Sequence, residues 1–349
     1  MTSAAAPALS VLDLVPVRTG QTSADAVAAS MDLARRADEL GYRRYWFAEH
    51  HNMLAVASTS PAVLIARALG ETSRIRLGSG GVMLPNHAPL IVAEQFSALE
   101  SMAPGRIDLG LGRAPGSDQV ITQLLRQSGA TTDVDRFPDH VADIMALSSR
   151  EGANVRFVNG GDYQVRATPA AAGTPDVWLL GSSDYSAQLA ARLGLPYVFA
   201  NHFAGDGLDR AMALYRTNFV ASDERPEPRS FVTANVVVAP TEAEADERAL
   251  PQLRQFARLR SNKPMRALET IDEALASPSD ALEQSLIEQN KQRWFVGTPD
   301  AVAAKLTDFA AKHGVEEIMV GASSGAYAGE DLRTAGGRGQ TLELLAGAM

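Results

Sequence analysis

The sequence predicts an α/β fold, a (β/α)8 barrel of the TIM type with two insertions. Three observations support this fold class: eight short apolar runs, amphipathic segments between most of them, and a length of 349 residues. Strands that alternate with helices run parallel, because each helix returns the chain to the same edge of the sheet. Eight such units favour a closed barrel over an open doubly wound sheet. We therefore expect one barrel domain over residues 1–349.

The eight candidate strands are apolar runs distributed along the whole chain. They span residues 9–15, 44–48, 75–83, 107–112, 176–181, 196–201, 231–239 and 316–322. Amphipathic helices are predicted at 23–41, 60–73, 89–103, 184–194 and 206–222. In the first helix, Ser23 is the expected N-cap and Gly41 is the residue that ends it.

Two segments, at about 113–175 and 259–295, are too long for a simple strand–helix unit. The first holds a predicted helix near 134–149 and then "VRFVNGGDYQVRA", in which "NGGD" between β-like runs predicts a hairpin. The second follows a predicted helix at 241–261 and is charged, with weak patterning. It is consistent with a mobile lid over the site or with a solvated surface excursion.

The composition is that of a folded, acidic protein. Hydrophobic residues make up 46% of the chain, charged residues 21%, and the formal net charge is −9. An acidic surface repels nucleic acid and anionic membranes, so we expect neither as a partner. The lack of cysteine excludes disulfides, thiolate metal ligands and a cysteine nucleophile. No signal peptide or membrane span is recognisable, which predicts a cytoplasmic protein.

Polar residues follow most of the predicted strands, and the active site of an α/β barrel lies at these carboxyl ends. The residues concerned are Glu49, His50, His51, Asn86, His87, Arg113, Ser182, Ser183, Asn201 and His202. Neighbouring residues on a strand face opposite sides, so His50 and His51 are not expected to share a metal ion. The spacing of "EHH" also differs from H-E-x-x-H, and we predict no metal site.

Two glycine-containing stretches indicate an anion site. "GLGRAPGSD" (110–118) has the spacing G-x-G-x-x-x-G and a proline at 115, which disfavours a dinucleotide fingerprint and leaves Arg113 as a fixed positive charge. "LLGSSDYSAQLAARLG" (179–194) passes from strand to helix, with Ser182, Ser183 and Ser186 at the helix start. Free N–H groups there bind anions, although an ordinary helix cap explains the serines equally well without a ligand.

These stretches resemble the bacterial luciferase-like, flavin-dependent monooxygenases. The similarity is carried by "YWFAEHH", "GSGGVMLPNHAPLIVAEQFSALESMAPGRIDLGLGR", "LLGSSDYSAQLAARLGLP" and "VGTPDAVAAKLTDFAAKHGVEEIMVG", in the order of that family. The resemblance implies a barrel that binds reduced FMN at its C-terminal mouth. It places His50 at the position of the catalytic histidine, with His51 as its neighbour, and Gly80–Gly81 at the position of a cis non-prolyl peptide. The residues implied in flavin binding are Gly80, Gly81, Arg113, Leu180, Ser182, Ser183 and Ser186.

Three departures from luciferase limit what the resemblance carries over. Gly112 replaces its reactive cysteine, Asn201 replaces a tryptophan on the sixth strand, and Ser182 replaces the glutamate that opens the phosphate turn. These changes keep a flavin site but argue against transferring light emission or the aldehyde substrate.

The implied activity is a two-component monooxygenase in which reduced FMN reacts with O₂ at ring carbon C4a and the peroxide formed oxidises a small organic substrate. Because no dinucleotide motif is found, a separate NAD(P)H:flavin reductase is the expected source of reduced FMN, and the resemblance makes a homodimer the expected assembly. Two alternatives stay open: hydride transfer with the deazaflavin F420, and a non-catalytic flavin-binding protein. A metal-dependent barrel hydrolase is disfavoured by the histidine spacing.

Overall fold

The protein is a parallel barrel, described by a computed structural model over residues 5–116, 119–127, 134–203 and 205–349. The strands are β1 (Ala8–Asp13), β2 (Arg44–Phe47), β3 (Arg76–Met83), β4 (Ile107–Gly112), β5 (Ala153–Arg156), β6 (Asp162–Val165), β7 (Asp176–Gly181), β8 (Tyr197–Phe199), β9 (Ser230–Val238), β10 (Phe295–Gly297) and β11 (Glu317–Ala322). Eight of them pair in parallel in the order β1-β2-β3-β4-β7-β8-β9-β11, and β11 returns to β1. These eight correspond to the predicted strands.

The helices lie between successive strands and cover the outside of the barrel. They are α1 (Ser23–Glu39), α2 (Pro61–Leu69), α3 (Pro89–Met102), α4 (Gln119–Gln127), α5 (Phe137–Ser148), α6 (Asp184–Arg192), α7 (Leu208–Thr217), α8 (Glu242–Arg260), α9 (Ile271–Ala276), α10 (Ala281–Lys291), α11 (Pro299–His313) and α12 (Gly336–Ala348). Within the described ranges, none of these helices combines the length and apolar character that crossing a membrane requires.

The start of α1 differs by one residue from the prediction. Thr22, not Ser23, is the N-cap: its hydroxyl accepts from the Asp25 N–H, and the Asp25 carboxylate accepts from the Thr22 N–H. This reciprocal capping box satisfies two backbone donors at once, which a cap at Ser23 would not do. Gly41 follows the helix with φ +80°, a conformation that suits glycine, as the prediction of a stop requires.

The two insertions contain regular structure. In the first, β5 and β6 form the predicted antiparallel hairpin, while residues 117–118 and 128–133 lie outside the described residues. In the second, α9 and α10 begin at the capping residues Thr270 and Asp280, and Ile287 and Trp294 pack with the apolar face of α8. The short β10, which was not predicted, pairs with the end of β9. The treatment of 1–349 as one domain stays a prediction.

The inward faces of the strands form three layers from the amino-terminal end of the barrel, here called the base, to the carboxyl-terminal mouth. The middle layer is apolar and includes Trp46, Trp178 and Phe231, whose rings contact one another at centroid distances of 4.9–5.8 Å. Alternation along β9 places Thr233 and Asn235 on the same inward face as Phe231, successively nearer the mouth. Both are buried, so the strand carries polar groups from the core towards the mouth.

A network of buried charges occupies the base. Arg44 donates to Glu317 Oε1 at 2.6 Å and to Asp108 Oδ2 at 3.0 Å, and the Trp46 indole N–H donates to the same Asp108 oxygen at 2.9 Å. Arg76 reaches the other Asp108 oxygen at 2.6 Å. Burial acts to lower the pKa of Arg44, but the Asp108 and Glu317 carboxylates outweigh it and raise the pKa above its ordinary value. The base is therefore ionised and internally paired.

Candidate active site

Neighbouring strand ends bring the predicted site residues together. His50, the Gly80–Gly81 peptide, Arg113 and the β7–α6 turn follow or lie on β2, β3, β4 and β7, which are adjacent in the barrel. Arg113 and the β7–α6 turn lie close together, because the strand register places Gly112 on β4 opposite Leu180 on β7. Arg113 therefore leaves β4 beside the turn that begins α6. The arrangement concentrates the candidate residues on one arc of the mouth.

His50 continues the inward face of β2 beyond the end of the strand. Arg44 and Trp46 point into the barrel, and alternation extends this face through Ala48 to His50. His50 is partly buried, and its enclosed Nδ1 atom has no hydrogen-bond partner in the part of the chain that the structure describes. Burial lowers the pKa of His50, while the Gly116 carbonyl and Glu49 partly offset this effect. The ring is therefore neutral at pH 7 and able to accept a proton.

Glu49 points the other way and ties the end of β2 to the loop after β3. Its carboxylate is fully buried, and Oε1 accepts from His51 Nε2 and from His87 Nε2, each at 2.8 Å, while Oε2 accepts from the Met83 N–H at 3.0 Å. Burial acts to raise the pKa of Glu49, but these hydrogen bonds outweigh it and lower the pKa to about 2. Glu49 is therefore a carboxylate that anchors two imidazoles.

The histidine pair divides between two places, as the alternation argument predicts. His51 contacts Glu49 on the outer side of the strand end, whereas His50 faces the mouth, where its electrostatic influence reaches His202. The Nε2 atoms of His51 and His87 point at one carboxylate oxygen at hydrogen-bond distance. In the described part of the chain, no group of three or more histidine, aspartate or glutamate side chains is arranged to hold a metal ion.

Arg113 and the start of α6 form a positively polarised corner, here called the phosphate corner. The Arg113 guanidinium carbon lies 4.0 Å from the centroid of the Tyr185 ring, in the first turn of α6. Ser183 is the N-cap, but its side chain makes no capping hydrogen bond, and the Ser186 hydroxyl donates to the Ser183 carbonyl at 2.7 Å. The Ser183 hydroxyl and the first N–H groups of the helix are thus available to an anion, and a phosphate group fits this donor set.

The Gly80–Gly81 peptide is cis, as the resemblance implies, and close packing leaves no room for a side chain. A Cβ atom at Gly81 would lie 2.8 Å from the Gly110 carbonyl oxygen and 3.1 Å from Leu180 Cδ1. Leu180 itself packs against the inner apolar layer beside Trp178. Only glycine therefore fits at this position, and the peptide lies on the strand between the one that precedes His50 and the one that precedes Arg113.

Three functional contacts were not predicted. His202 was identified only as a strand-end residue, and the structure pairs its Nδ1 with the Thr233 hydroxyl at 2.7 Å. Glu49 was likewise identified only as a strand-end residue, so its partnership with His87 was not predicted, and neither was the stacking of Arg113 on Tyr185. A signal for the first existed: in "FVTANVVVA", Thr233 and Asn235 interrupt an apolar strand on one face.

Comparison with known proteins identifies the family. The profile of the luciferase-like monooxygenases matches residues 9–317. The chain is 42% identical over 316 residues to the luciferase-like monooxygenase of Escherichia coli K12, covering 90% of each protein. It is 32% identical over 319 residues to N-acetyl-S-alkylcysteine monooxygenase of Bacillus subtilis, covering 89% of this chain and 91% of that protein. The chain therefore belongs to the luciferase-like monooxygenase family.

Solved structures confirm the TIM-type barrel. Apo-MsnO8 superimposes with a TM-score of 0.83 at 36% identity, covering 98% of this chain and 97% of that chain. The FMN complex of the oxygenating constituent of 3,6-diketocamphane monooxygenase from Pseudomonas putida gives 0.69 at 18% identity, covering 98% and 97%. An F420-dependent secondary alcohol dehydrogenase gives 0.65 at 14% identity, covering 98% and 99%. The last two share the fold alone and bind different flavins.

Proposed function

We propose that the protein is a two-component monooxygenase that uses reduced FMN and O₂ to oxidise a small organic substrate. The observation that carries this proposal is the placement, along adjacent strand ends, of a neutral imidazole, a closely packed cis Gly80–Gly81 peptide and the phosphate corner. Arg113 and the first turn of α6 bind the phosphate, Gly80–Gly81 and Leu180 support the ring, and His50 faces the reacting region.

Reduced FMN, when bound, supplies the electrons that activate O₂. The chain supplies position and proton control. His50 accepts or holds a proton at its unpartnered Nδ1, and Glu49 fixes the strand end on which His50 sits. The apolar layer beneath, formed by Trp46, Trp178 and Phe231, excludes water from the barrel interior below the site.

Cofactor identity is tested by anaerobic titration of the purified protein with reduced FMN, reduced riboflavin and reduced F420. We expect FMN to bind more tightly than riboflavin and F420. Arg113→Met removes the guanidinium and should weaken FMN binding about 10-fold to 100-fold while leaving riboflavin binding unchanged. Arg210→Met, which removes an exposed arginine on α7 that pairs with Asp184 of α6, is the matched control and should change neither affinity more than about twofold. Preferential binding of F420 would contradict the monooxygenase proposal and would support the alternative, hydride transfer with F420.

Oxygen chemistry is tested by supplying reduced FMN from an added flavin reductase and measuring O₂ consumption, hydrogen peroxide and product. A panel of thioethers, ketones and aldehydes should include an N-acetyl-S-alkylcysteine, because the 32% identical relative from Bacillus subtilis is named for that substrate. With a substrate found, His50→Ala should divert O₂ into free hydrogen peroxide while FMN still binds. An unchanged product yield would contradict a role of His50 in the reaction. FMN binding without any oxygen chemistry would support the alternative of a non-catalytic flavin-binding protein.

The proposal includes a separate NAD(P)H:flavin reductase and a homodimeric assembly. Both are checked on the purified protein. Steady NADPH oxidation by the protein and FMN alone would remove the need for a reductase. Sedimentation equilibrium should give twice the mass of the 349-residue chain, and a monomer would contradict the expected assembly.

A further inference from the structure

A small polar pocket lies at the mouth on the side opposite Gly80–Gly81, between the ends of β8 and β9 and the end of α10. The described residues that line it are Asn201, His202, Phe203, Gly205, Asn235, Asn290, Arg293 and Trp294. Its enclosed part measures about 10 Å³, which is room for one group of the size of a water molecule. The pocket therefore suits a single functional group of a ligand whose remainder lies in the open mouth.

Thr233 occupies one nitrogen of the His202 ring. The Thr233 hydroxyl oxygen accepts from the backbone N–H of His202 at 3.1 Å, lies 2.7 Å from His202 Nδ1 and lies 3.4 Å from the Phe199 carbonyl. These contacts form when Nδ1–H donates to the hydroxyl oxygen, which then donates to Phe199, and also when the hydroxyl donates to Nδ1. In both tautomers Nδ1 is occupied by Thr233 and Nε2 is left for a ligand.

The Nε2 atom has no hydrogen-bond partner among the described residues, and His202 lines the pocket. Burial and, to a smaller extent, the nearby His50 lower the pKa of His202 to about 4, so the ring is uncharged at pH 7. Arg293, the cation among the described lining residues, is paired with Asp206 at 3.0 and 3.2 Å. The described lining thus offers a neutral imidazole nitrogen without an unpaired positive charge.

We propose that this pocket is a substrate subsite for an uncharged carboxamide group, which forms a hydrogen bond with His202 Nε2. An amide side chain, Asn201, borders the same space and gives the carboxamide a second partner. A carboxylate fits less well, because it would lose its hydration to an uncharged lining. The inference extends the proposed function by naming the substrate class, and it rests on that function only for the statement that the ligand is the substrate.

The test uses the full chain labelled with ¹⁵N-histidine and long-range ¹H–¹⁵N spectra. We expect His202 to be neutral at pH 7, with one of its two ring nitrogens protonated. Titration with N-methylacetamide should shift the Nε2 resonance of His202 and leave His140 and His313, on α5 and at the end of α11, unchanged. Acetate, which carries a charged acceptor, should bind more weakly. Tighter binding of acetate, or no shift of His202 with either probe, overturns the proposal.

Two variants separate the hydrogen-bonding nitrogen from the bulk of the ring. His202→Gln places an amide group near the position of Nε2 and should keep the affinity for N-methylacetamide within about threefold, whereas His202→Phe should weaken it about fivefold to tenfold. Equal affinities in both variants contradict the assignment. Anaerobic titration with reduced FMN is run on the same samples: loss of FMN binding with an intact probe response refutes the proposed function alone, and the reverse result refutes only this subsite.

Discussion

The base and the mouth of the barrel both contain buried polar side chains, but they differ in how these side chains are paired. At the base, Arg44 meets Asp108 and Glu317 within 3.0 Å, and the indole N–H of Trp46 completes the set. At the mouth, His50 Nδ1 is enclosed, and neither this atom nor the second ring nitrogen of His202 has a hydrogen-bond partner among the described residues. The charged groups of the base network are paired, whereas these two imidazoles at the mouth keep a nitrogen unpaired.

The same strands therefore contribute paired charges to stability at one end of the barrel and unpaired imidazoles to the candidate site at the other end. Paired buried charges gain from each other and lose heavily when one partner is removed. Unpaired imidazoles cost free energy in the empty site and recover it when a ligand supplies the missing group. Substitutions at the base should therefore change mainly the free energy of unfolding, and substitutions at the mouth should change its pH dependence or the affinity for flavin.

The largest effect is expected at the base. Asp108→Ala leaves Arg44 with one carboxylate partner and the Trp46 indole N–H with none, and should lower the free energy of unfolding by about 3–5 kcal/mol. Urea unfolding measures this change. Asp176→Ala is the matched control, because its ion pair with Arg229 at the same end is loose, at 3.4 Å, and half-exposed. It should cost about 0–1 kcal/mol. Equal losses in the two variants would show that the base network carries no special stability.

At the mouth, His202 should make stability depend on pH. Its pKa falls from an ordinary 6.5 to about 4 on folding, so the unfolded chain takes up the proton first as pH falls. The contribution of the neutral His202 ring to the free energy of unfolding is therefore fully present above pH 6.5. It falls by up to about 3 kcal/mol as pH drops from 6.5 to 4. Urea unfolding across this range should show a smaller loss for His202→Gln than for the native chain. Parallel curves for the two proteins would contradict a neutral His202.

Glu49 should act at lower pH and with a smaller effect. Glu49→Gln removes the charge that accepts from His51 and His87 and should cost about 1–2 kcal/mol at pH 7. Since the pKa of Glu49 is lowered to about 2, its contribution is present above pH 4.5 and is lost as pH falls towards 2. The stability difference should therefore shrink over this interval. Glu94→Gln, at an exposed hydrogen bond to Thr168, is the control and should stay within about 0.5 kcal/mol.

The smallest effect is expected at the phosphate corner. Tyr185→Leu removes the ring over which Arg113 lies and should weaken binding of reduced FMN about twofold to fivefold, because the cation–π contact positions the guanidinium. Riboflavin, which lacks the phosphate, should bind equally to both proteins. Tyr163→Leu, on the exposed hairpin, is the control. A loss shared by FMN and riboflavin would indicate that Tyr185 supports the ring system instead of Arg113.

Much of the barrel could be predicted because its physical signals are local. Each barrel strand is a continuous apolar run, and the alternation of strands with amphipathic helices determines the direction of the strands. The missed strand, Phe295–Gly297, has three residues and follows the charged end of α10, so no periodicity marks it. The displaced cap at Thr22 depends on which of two adjacent hydroxyls meets the Asp25 N–H, which the residue types do not decide.

The site was predictable to the extent that it lies at strand ends. His50, Arg113 and the serines before α6 meet because parallel strands end at one edge, a property of the topology. The partners of Glu49 could not be inferred in this way, since Met83 and His87 lie 34 and 38 residues away and the contacts depend on the path of one loop. Stacking of Arg113 on Tyr185 likewise depends on side-chain rotamers.

The alternation of Phe231, Thr233 and Asn235 along β9 bears on how substrate preference can change. The backbone ladder of β9 holds its neighbours through main-chain groups, so the side chains at 233 and 235 can vary without breaking the pairing with β8 or β11. Arg113 and the serines of the phosphate corner lie on other strands. For the function proposed above, a library randomised at these two positions would test whether substrate preference changes without loss of cofactor binding, which makes β9 a starting point for directed evolution.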